Sequence, residues 1–115
     1  KHLLLRNEVY RYMNDKKRHS SVTNYFNQTI LKCNVRVTIQ EATINQKFLS
    51  FSDIVRETKS NSRSIRRIIN DSLDASWIYI IQKENRKYYR ASDEMMKPLY
   101  DWTKFITYLH KKYNI

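Results

Sequence analysis

Three arginines and an asparagine share one side of a short helix-patterned stretch. Over residues 62–73 the apolar side chains Ile65, Ile68, Ile69 and Leu73 recur at i, i+3, i+4 and i+8, which at about 100° per residue gathers them into one stripe. The opposite side then carries Arg63, Arg67 and Asn70, with Arg66 on the flank and Asp74 alone opposing them at the far end. A guanidinium can donate two parallel hydrogen bonds to the edge of guanine, and a carboxamide can pair with adenine. This face therefore has the groups that read bases in a major groove. A merely solvated helix face is the competing reading, and no single base follows for any one residue. Just upstream, Ser60, Asn61 and Ser62 are capping residue types, and the helix start they mark could also hold a phosphate on its free N–H groups.

Such a face needs a scaffold, and the flanking residues supply one. Ser50 and Asp53 have capping-box spacing and Leu49 with Ile54 has the spacing of a hydrophobic staple, so a helix is predicted to begin near Phe51. Lys59, Ser60 and Asn61 end it and start the arginine-bearing helix. Beyond that helix, residues 77–81 are β-branched and aromatic, residues 82–86 are polar, and residues 87–91 are again strand-like. This predicts a hairpin tipped by Lys83, Glu84, Asn85, Arg86 and Lys87. Helix, turn, helix and hairpin in close succession make a helix-turn-helix with a wing. Lys83, Asn85, Arg86 and Lys87 are then placed to grip DNA backbone or minor groove, against the alternative of a solvated tip.

Residues 49–91 resemble the winged-helix domain of bacterial and archaeal transcription regulators, most closely the MarR group. Ser50, Asp53, Ile54 and Val55 match the short first helix of that domain. Ser62, Ile65, Arg67 and Ile69 match its recognition helix, and Asn85-Arg86 followed by Lys87, Tyr88 and Tyr89 resembles its wing. Two departures stand out. The group commonly has glycine between the two helices and again before the wing strand, where a positive φ is convenient, whereas this sequence has no glycine. Lys59 and residues 74–76 must make those turns, with Asn61 and Asp74 the types best able to relieve the strain. The wing also lacks the Asp-x-Arg pair common in the group.

The 115 residues suffice for one domain with one core, and 41% hydrophobic content argues against disorder. Basic residues number 22 against 11 acidic, a formal net charge of +11, which points to an anionic partner. The excess is uneven: residues 93–115 hold four basic and three acidic side chains, whereas residues 1–92 hold eighteen and eight. A basic body for nucleic acid and a near-neutral tail for another contact fit that division. Cys33 is the one cysteine, so no intrachain disulfide is available, and its apolar stripe favours an inert thiol over a redox sensor. His2, His19 and His110 lack ligand spacing with one another or with Cys33, so neither a metal nor another cofactor is expected. Without glycine there is no glycine-rich phosphate loop, and no converging acid, base and nucleophile is visible, so an enzyme is not expected. No apolar run is long enough for a membrane span. A cytoplasmic, nucleoid-associated protein is the simplest expectation.

Further helices are expected outside the winged region. Residues 2–18 carry Leu5, Val9, Tyr12 and Met13 on one stripe and end in a basic turn, Lys16-Lys17-Arg18. Ser20 and Ser21 cap a second helix bearing Val22, Tyr25, Phe26, Thr29, Ile30 and Cys33, and Asn34 either ends it or caps the next. Residues 35–43 fit strand or helix by pattern, and the resemblance selects helix. Ser92 starts a last helix with Asp93 and Glu94 in its first turn, and Pro98 either bends it or marks its true first turn. Leu99, Trp102, Ile106, Leu109 and Tyr113 follow in it as a heptad-like seam. Together with Leu5 and Val9 this is more apolar surface than a small body covers alone, so a homodimer is expected to bury it. Tyr25, Phe26, Trp102 and Phe105 mark where a small-molecule effector would sit, although core packing is the simpler reading and no effector is identified.

The expected fold is mainly α with a small β-hairpin wing, an α+β winged helix-turn-helix with N- and C-terminal dimerisation helices. Residues 1–34 form the N-terminal helices, 35–91 the DNA-binding region and 92–115 the C-terminal dimerisation helix, all within one structural domain. The resemblance implies a sequence-specific, double-stranded DNA-binding transcription regulator acting as a homodimer. A non-specific architectural or replication-associated winged helix is the alternative, and a protein-interaction winged helix is the third reading. The operator sequence, and activation versus repression, do not follow from the residues.

Overall fold

Local signals place the helix-turn-helix and its wing where the spacing predicts them. A computed structural model describes residues 2–15 and 20–115. In chain order the elements are α1 (His2–Asn14), α2 (Ser21–Phe26), α3 (Ile30–Ile44), α4 (Phe51–Thr58), α5 (Ser62–Asp74), β1 (Ile78–Lys83), β2 (Arg86–Ala91) and α6 (Asp93–Tyr113). The basic turn Lys16-Lys17-Arg18 lies outside the described residues.

The capping box of α4 is complete. Asp53 N–H donates to Ser50 Oγ at 3.2 Å, and Ser50 N–H donates to the Asp53 carboxylate at 3.0 Å. Leu49 and Ile54, the staple pair, are both buried. The Ser50 N–H first, and the Arg56 guanidinium after it, hold the Asp53 carboxyl below its ordinary value against the opposing effect of burial. A carboxylate with a depressed folded value stabilises the fold fully above its unfolded pKa, and that contribution fades as pH falls through the folded one. Asp53→Asn is therefore expected to cost about 0.3–1 kcal/mol at neutral pH. Urea midpoints measured from pH 7 down to 3 should show the difference from wild type shrinking on acidification.

Without glycine, other residues take the left-handed backbone. Lys59, at φ 52°, ends α4 as expected. Neither Asn61 nor Asp74 shares that work: Asn61 is the extended N-cap of α5, and Asp74 is its last helical residue. Ser76 takes the positive φ instead, at 61°. It closes α5 in a Schellman motif, with Trp77 N–H donating to the Ser72 carbonyl at 2.9 Å and Ser76 N–H to Leu73 at 3.0 Å. A side chain in this region costs about 1–2 kcal/mol that glycine avoids. Ser76→Gly should accordingly raise stability by about 1 kcal/mol, read as a higher urea midpoint at unchanged slope.

The wing has a tighter turn than its polar run suggests. The strands pair antiparallel from Ile78↔Ala91 to Lys83↔Arg86, leaving Glu84 and Asn85 alone as the turn. Both have positive φ, 53° and 62°, the type I′ geometry that matches strand twist. Gln82, Lys83 and Arg86 of the polar run are thus strand residues and not loop, and Lys87 is in the strand as its strand-like run predicts. They are exposed on both faces of the hairpin's end, so polar character there carries no information about loop or strand.

The expected second helix is two helices. Asn27 caps α2, and Thr29 caps α3, its side chain accepting the Lys32 N–H at 3.0 Å. Thr29 is therefore a cap and not part of an apolar stripe, and Ile30 beside it is 82% exposed. Asn34 neither ends a helix nor caps one: α3 runs through it to Ile44, which makes residues 35–43 helical.

Phe26, Val35, Ile39, Ile54, Ile65, Ile69 and Met95 form the fully buried centre, drawn from α2 to α6. Gln40, buried beside them, donates to the Met95 carbonyl at 3.0 Å and so ties α3 to the start of α6. Ser92 caps α6, which is continuous across Pro98. α1 lies antiparallel along α6: Tyr12 stacks on Phe105 at 4.0 Å and meets Trp102 edge-on at 5.5 Å, while Glu8 pairs with Lys112 nearer the far end. Leu109 and Tyr113 of the expected seam are already buried within the one chain, while Leu5, Val9, Leu99 and Ile106 are half-buried and Trp102 is partly exposed.

Candidate nucleic-acid interface

α5 has one face committed to the core and one left to solvent. Ile65, Ile68, Ile69 and Ser72 are buried, and the Ser72 hydroxyl, donating to the Ile68 carbonyl at 2.7 Å, satisfies itself within the helix. Arg63, Arg66, Arg67 and Asn70 are all exposed on the other side. Among the described residues none of the three arginines takes part in an ion pair. Their charges are free for an external anion.

The arginines differ in how they are held. The Arg66 guanidinium lies 3.7 Å from the centroid of the Phe51 ring at the start of α4, a stacked and therefore fixed position. Among the described residues no such contact restrains Arg63, on the first turn. Asn61 supplies the N-cap, accepting the Ser64 N–H at 2.8 Å, so among the three expected capping residues it alone does this work. Ser62 is the first helical residue, exposed, and Ser60 is half-buried in the turn.

A second layer of residues locks this helix to α2. The Tyr25 hydroxyl donates to the Asp71 carboxylate at 2.8 Å, and Lys32 Nζ sits 4.2 Å from the centroid of the Tyr25 ring. Burial, reinforced by the Asp71 carboxylate, pushes the Tyr25 hydroxyl well above its ordinary value, with Arg67 pulling slightly the other way. Tyr25 thus stays a donor at neutral pH and Asp71 stays occupied. Lys32 and Tyr25 escape the sequence reading as parts of this surface because α3 starts only after a break that the apolar spacing conceals.

The wing residues Lys83, Asn85, Arg86 and Lys87 are all exposed at the hairpin's end. They do not share one face: Lys83 and Arg86 pair across the strands on one side, and Lys87 with Gln82 lies on the other. Among the described residues no group of His, Cys, Asp or Glu could hold a metal ion, and no helix is long and apolar enough to cross a membrane. Cys33 is half-buried, with the Arg36 guanidinium 3.3 Å from its sulfur.

A cavity of about 390 Å³ opens between α1, α2, α3 and α6, lined in part by Tyr12, Met13, Arg36, Val37, Leu99 and Trp102. Of the aromatic residues expected between the helices and the winged region, Trp102 borders it. Phe105 packs on Tyr12 instead, and Tyr25 and Phe26 pack with Trp77.

No family model matches the sequence, and no curated protein sequence matches it either. The fold, by contrast, is shared. The Staphylococcus aureus MepR–DNA complex superposes over 96% of this chain and 89% of the MepR chain, with a TM-score of 0.62 at 13% identity. Another structure of MepR, a transcription regulator of the S. aureus multidrug efflux pump MepA, covers 92% and 79% of the two chains with a TM-score of 0.55 at 12% identity. NadR in complex with 4-hydroxyphenylacetate covers 97% and 73%, with a TM-score of 0.56 at 16% identity. The chain has the MarR-like winged-helix fold.

Proposed function

We propose that this chain is a sequence-specific, double-stranded DNA-binding transcription regulator that works as a homodimer. The observation that carries this reading is the exposed face of α5, where Asn70 stands beside Arg63 and Arg67, which have no ion pair among the described residues, on a helix anchored by a buried opposite side. Entered into a major groove, the three present their donors to base edges, while Arg66, held over Phe51, meets a phosphate. The first-turn N–H groups of α5 add a second phosphate contact, and the wing cations Lys83, Arg86 and Lys87 a third. MepR, with the same fold, was solved on DNA.

The apolar residues α1 and α6 leave exposed support a two-fold dimer. Leu3, Leu4, Tyr10 and Met13 of α1 and Trp102 and Tyr108 of α6 are all open to solvent in the single chain. Pairing two copies through them buries what one copy cannot, and sets two recognition helices about 34–36 Å apart on successive turns of a pseudo-palindrome. The cavity beside Trp102 is where a small-molecule effector would fit, with Arg36 to meet a carboxylate; NadR was solved with one such aromatic acid.

The test is a salt titration of binding to genomic duplex fragments, with sequencing of the retained pool and sedimentation of the free protein. A two-fold motif together with a dimer at micromolar concentration is the expected result. Steep salt dependence without a motif would make the protein an architectural backbone binder. Complete absence of duplex binding at low salt would leave a protein-interaction module.

A further inference from the structure

Only one face of the wing sheet belongs to the core. Ile78, Tyr89 and Ala91 lie on it and are buried. Side chains alternate along a strand, so Tyr79, Ile81 and Lys83 of β1 and Arg86, Tyr88 and Arg90 of β2 occupy the other face. Phe48 joins them. Leu49 bridges to Tyr89 and is buried, which turns the preceding side chain outward, and the Phe48 ring lies 5.3 Å from that of Tyr88.

Two cations lie against the Phe48 ring. Lys83 Nζ is 4.4 Å from the centroid of Phe48, and the Arg90 guanidinium is 5.8 Å from it. Phe48 and Tyr79 remain 45% and 46% exposed. Among the described residues Lys83, Arg86 and Arg90 have no ion-pair partner. Phe48 also borders a groove of mixed charge, lined by Glu41, Asp53 and Glu57 together with Lys47 and Arg56.

Half-exposed ring faces among unpaired cations fit a ligand that is anionic along its backbone and flat in its side groups. A duplex offers the charge but keeps its bases stacked inside, and an acidic peptide offers the charge without ring planes. An extended single strand offers both. We propose that the outer face of the wing, Phe48, Tyr79 and Tyr88 flanked by Lys83, Arg86 and Arg90, docks single-stranded nucleic acid, separately from the recognition helix. Bases stack on the rings while the cations track the phosphates, the arrangement that other aromatic-bearing sheets use for unpaired bases. Lys83 and Arg86 are shared with the wing contact proposed for duplex DNA, but the rings and Arg90 have no part in that contact, so the surface survives failure of the duplex reading.

The experiment is fluorescence anisotropy of a labelled oligothymidylate of about 12 nucleotides at moderate salt, with full-length wild type, Phe48→Leu, Phe48→Trp and Arg67→Ala. Phe48→Leu keeps an apolar side chain, and its thermal unfolding checks the fold. It is expected to weaken single-strand binding about 5- to 100-fold while leaving duplex binding unchanged. Arg67→Ala should leave the single strand bound. In Phe48→Trp, stacking should quench the added indole emission when the oligonucleotide is supplied, relative to wild type; this readout holds even if Phe48→Leu fails to fold. Absence of single-strand binding, equal loss on single strand and duplex, an unquenched indole, or displacement by polyglutamate as effective as by oligonucleotide would each overturn the proposal.

Discussion

Arg63→Ala combined with Arg67→Ala is expected to weaken binding to the selected duplex by about 2–5 kcal/mol, a loss of tens- to thousands-fold, with little change in stability. Both side chains are exposed and, among the described residues, carry no ion pair, so removing them leaves the buried stripe of Ile65, Ile68 and Ile69 intact. Surface changes of that kind shift stability by within about 0.5 kcal/mol. The comparison that separates roles is the loss on random duplex. If these arginines read bases, affinity for random sequence falls much less and the discrimination between the two pools collapses. Arg66→Ala is the internal control. With its guanidinium stacked on Phe51, Arg66 is expected to act on a phosphate, weakening every sequence alike and flattening the salt dependence by about one ion. Equal losses on both pools for the double variant would make all three arginines backbone contacts and move the protein to the architectural class.

How much of this surface is legible in the residues depends on how local its causes are. The capping box at Ser50 and Asp53 and the spacing of Ile65, Ile68 and Ile69 act within a turn or two of helix. Both appear in the structure as the spacing predicts. The break between α2 and α3 is hidden for the opposite reason. Val22, Phe26, Ile30 and Cys33 continue a helical spacing across Asn27 and Thr29, so the apolar pattern runs smoothly through a point where the chain turns. Only burial tells them apart, Phe26 being sealed in the core and Ile30 open to solvent.

Partners distant in sequence are likewise invisible to spacing. Nothing near Tyr25 announces Asp71, nothing near Gln40 announces the Met95 carbonyl, and Phe48 becomes an exposed ring among cations only when β2 pairs alongside it. The missing glycines show a further limit. Lys59 makes its turn as its place between the helices predicts, yet preference among types also favours Asn61 and Asp74 for positive φ, where the chain uses Ser76. The helix ends decide it: Asn61 is worth more as a cap than as a left-handed turn, and Ser76 stands one residue beyond the α5 C-cap, where the Schellman geometry is set.

The short α2 also carries the largest expected loss of stability. Phe26 is completely buried, 4.9 Å from the Tyr25 ring and 5.6 Å from that of Trp77, at the point where α2 meets the segment between α5 and β1. Phe26→Ala removes a whole ring from this cluster and leaves a cavity, which costs about 3–5 kcal/mol and should lower the melting temperature on the order of 10–20 °C. Tyr25→Phe, which removes only the hydroxyl donated to Asp71, should cost about 0.5–1.5 kcal/mol. The two variants separate stability from positioning. Duplex affinity of the fraction of Phe26→Ala still folded at low temperature should approach wild type, because its recognition helix keeps every exposed contact. Tyr25→Phe frees Asp71 beside Arg67, so a carboxylate released from its donor can draw the guanidinium away from DNA; affinity should fall several-fold although the fold is nearly unharmed. Calorimetric unfolding run beside duplex titration at low temperature decides it. Binding by Tyr25→Phe as tight as wild type would mean that the hydroxyl serves only to fasten α2 to α5.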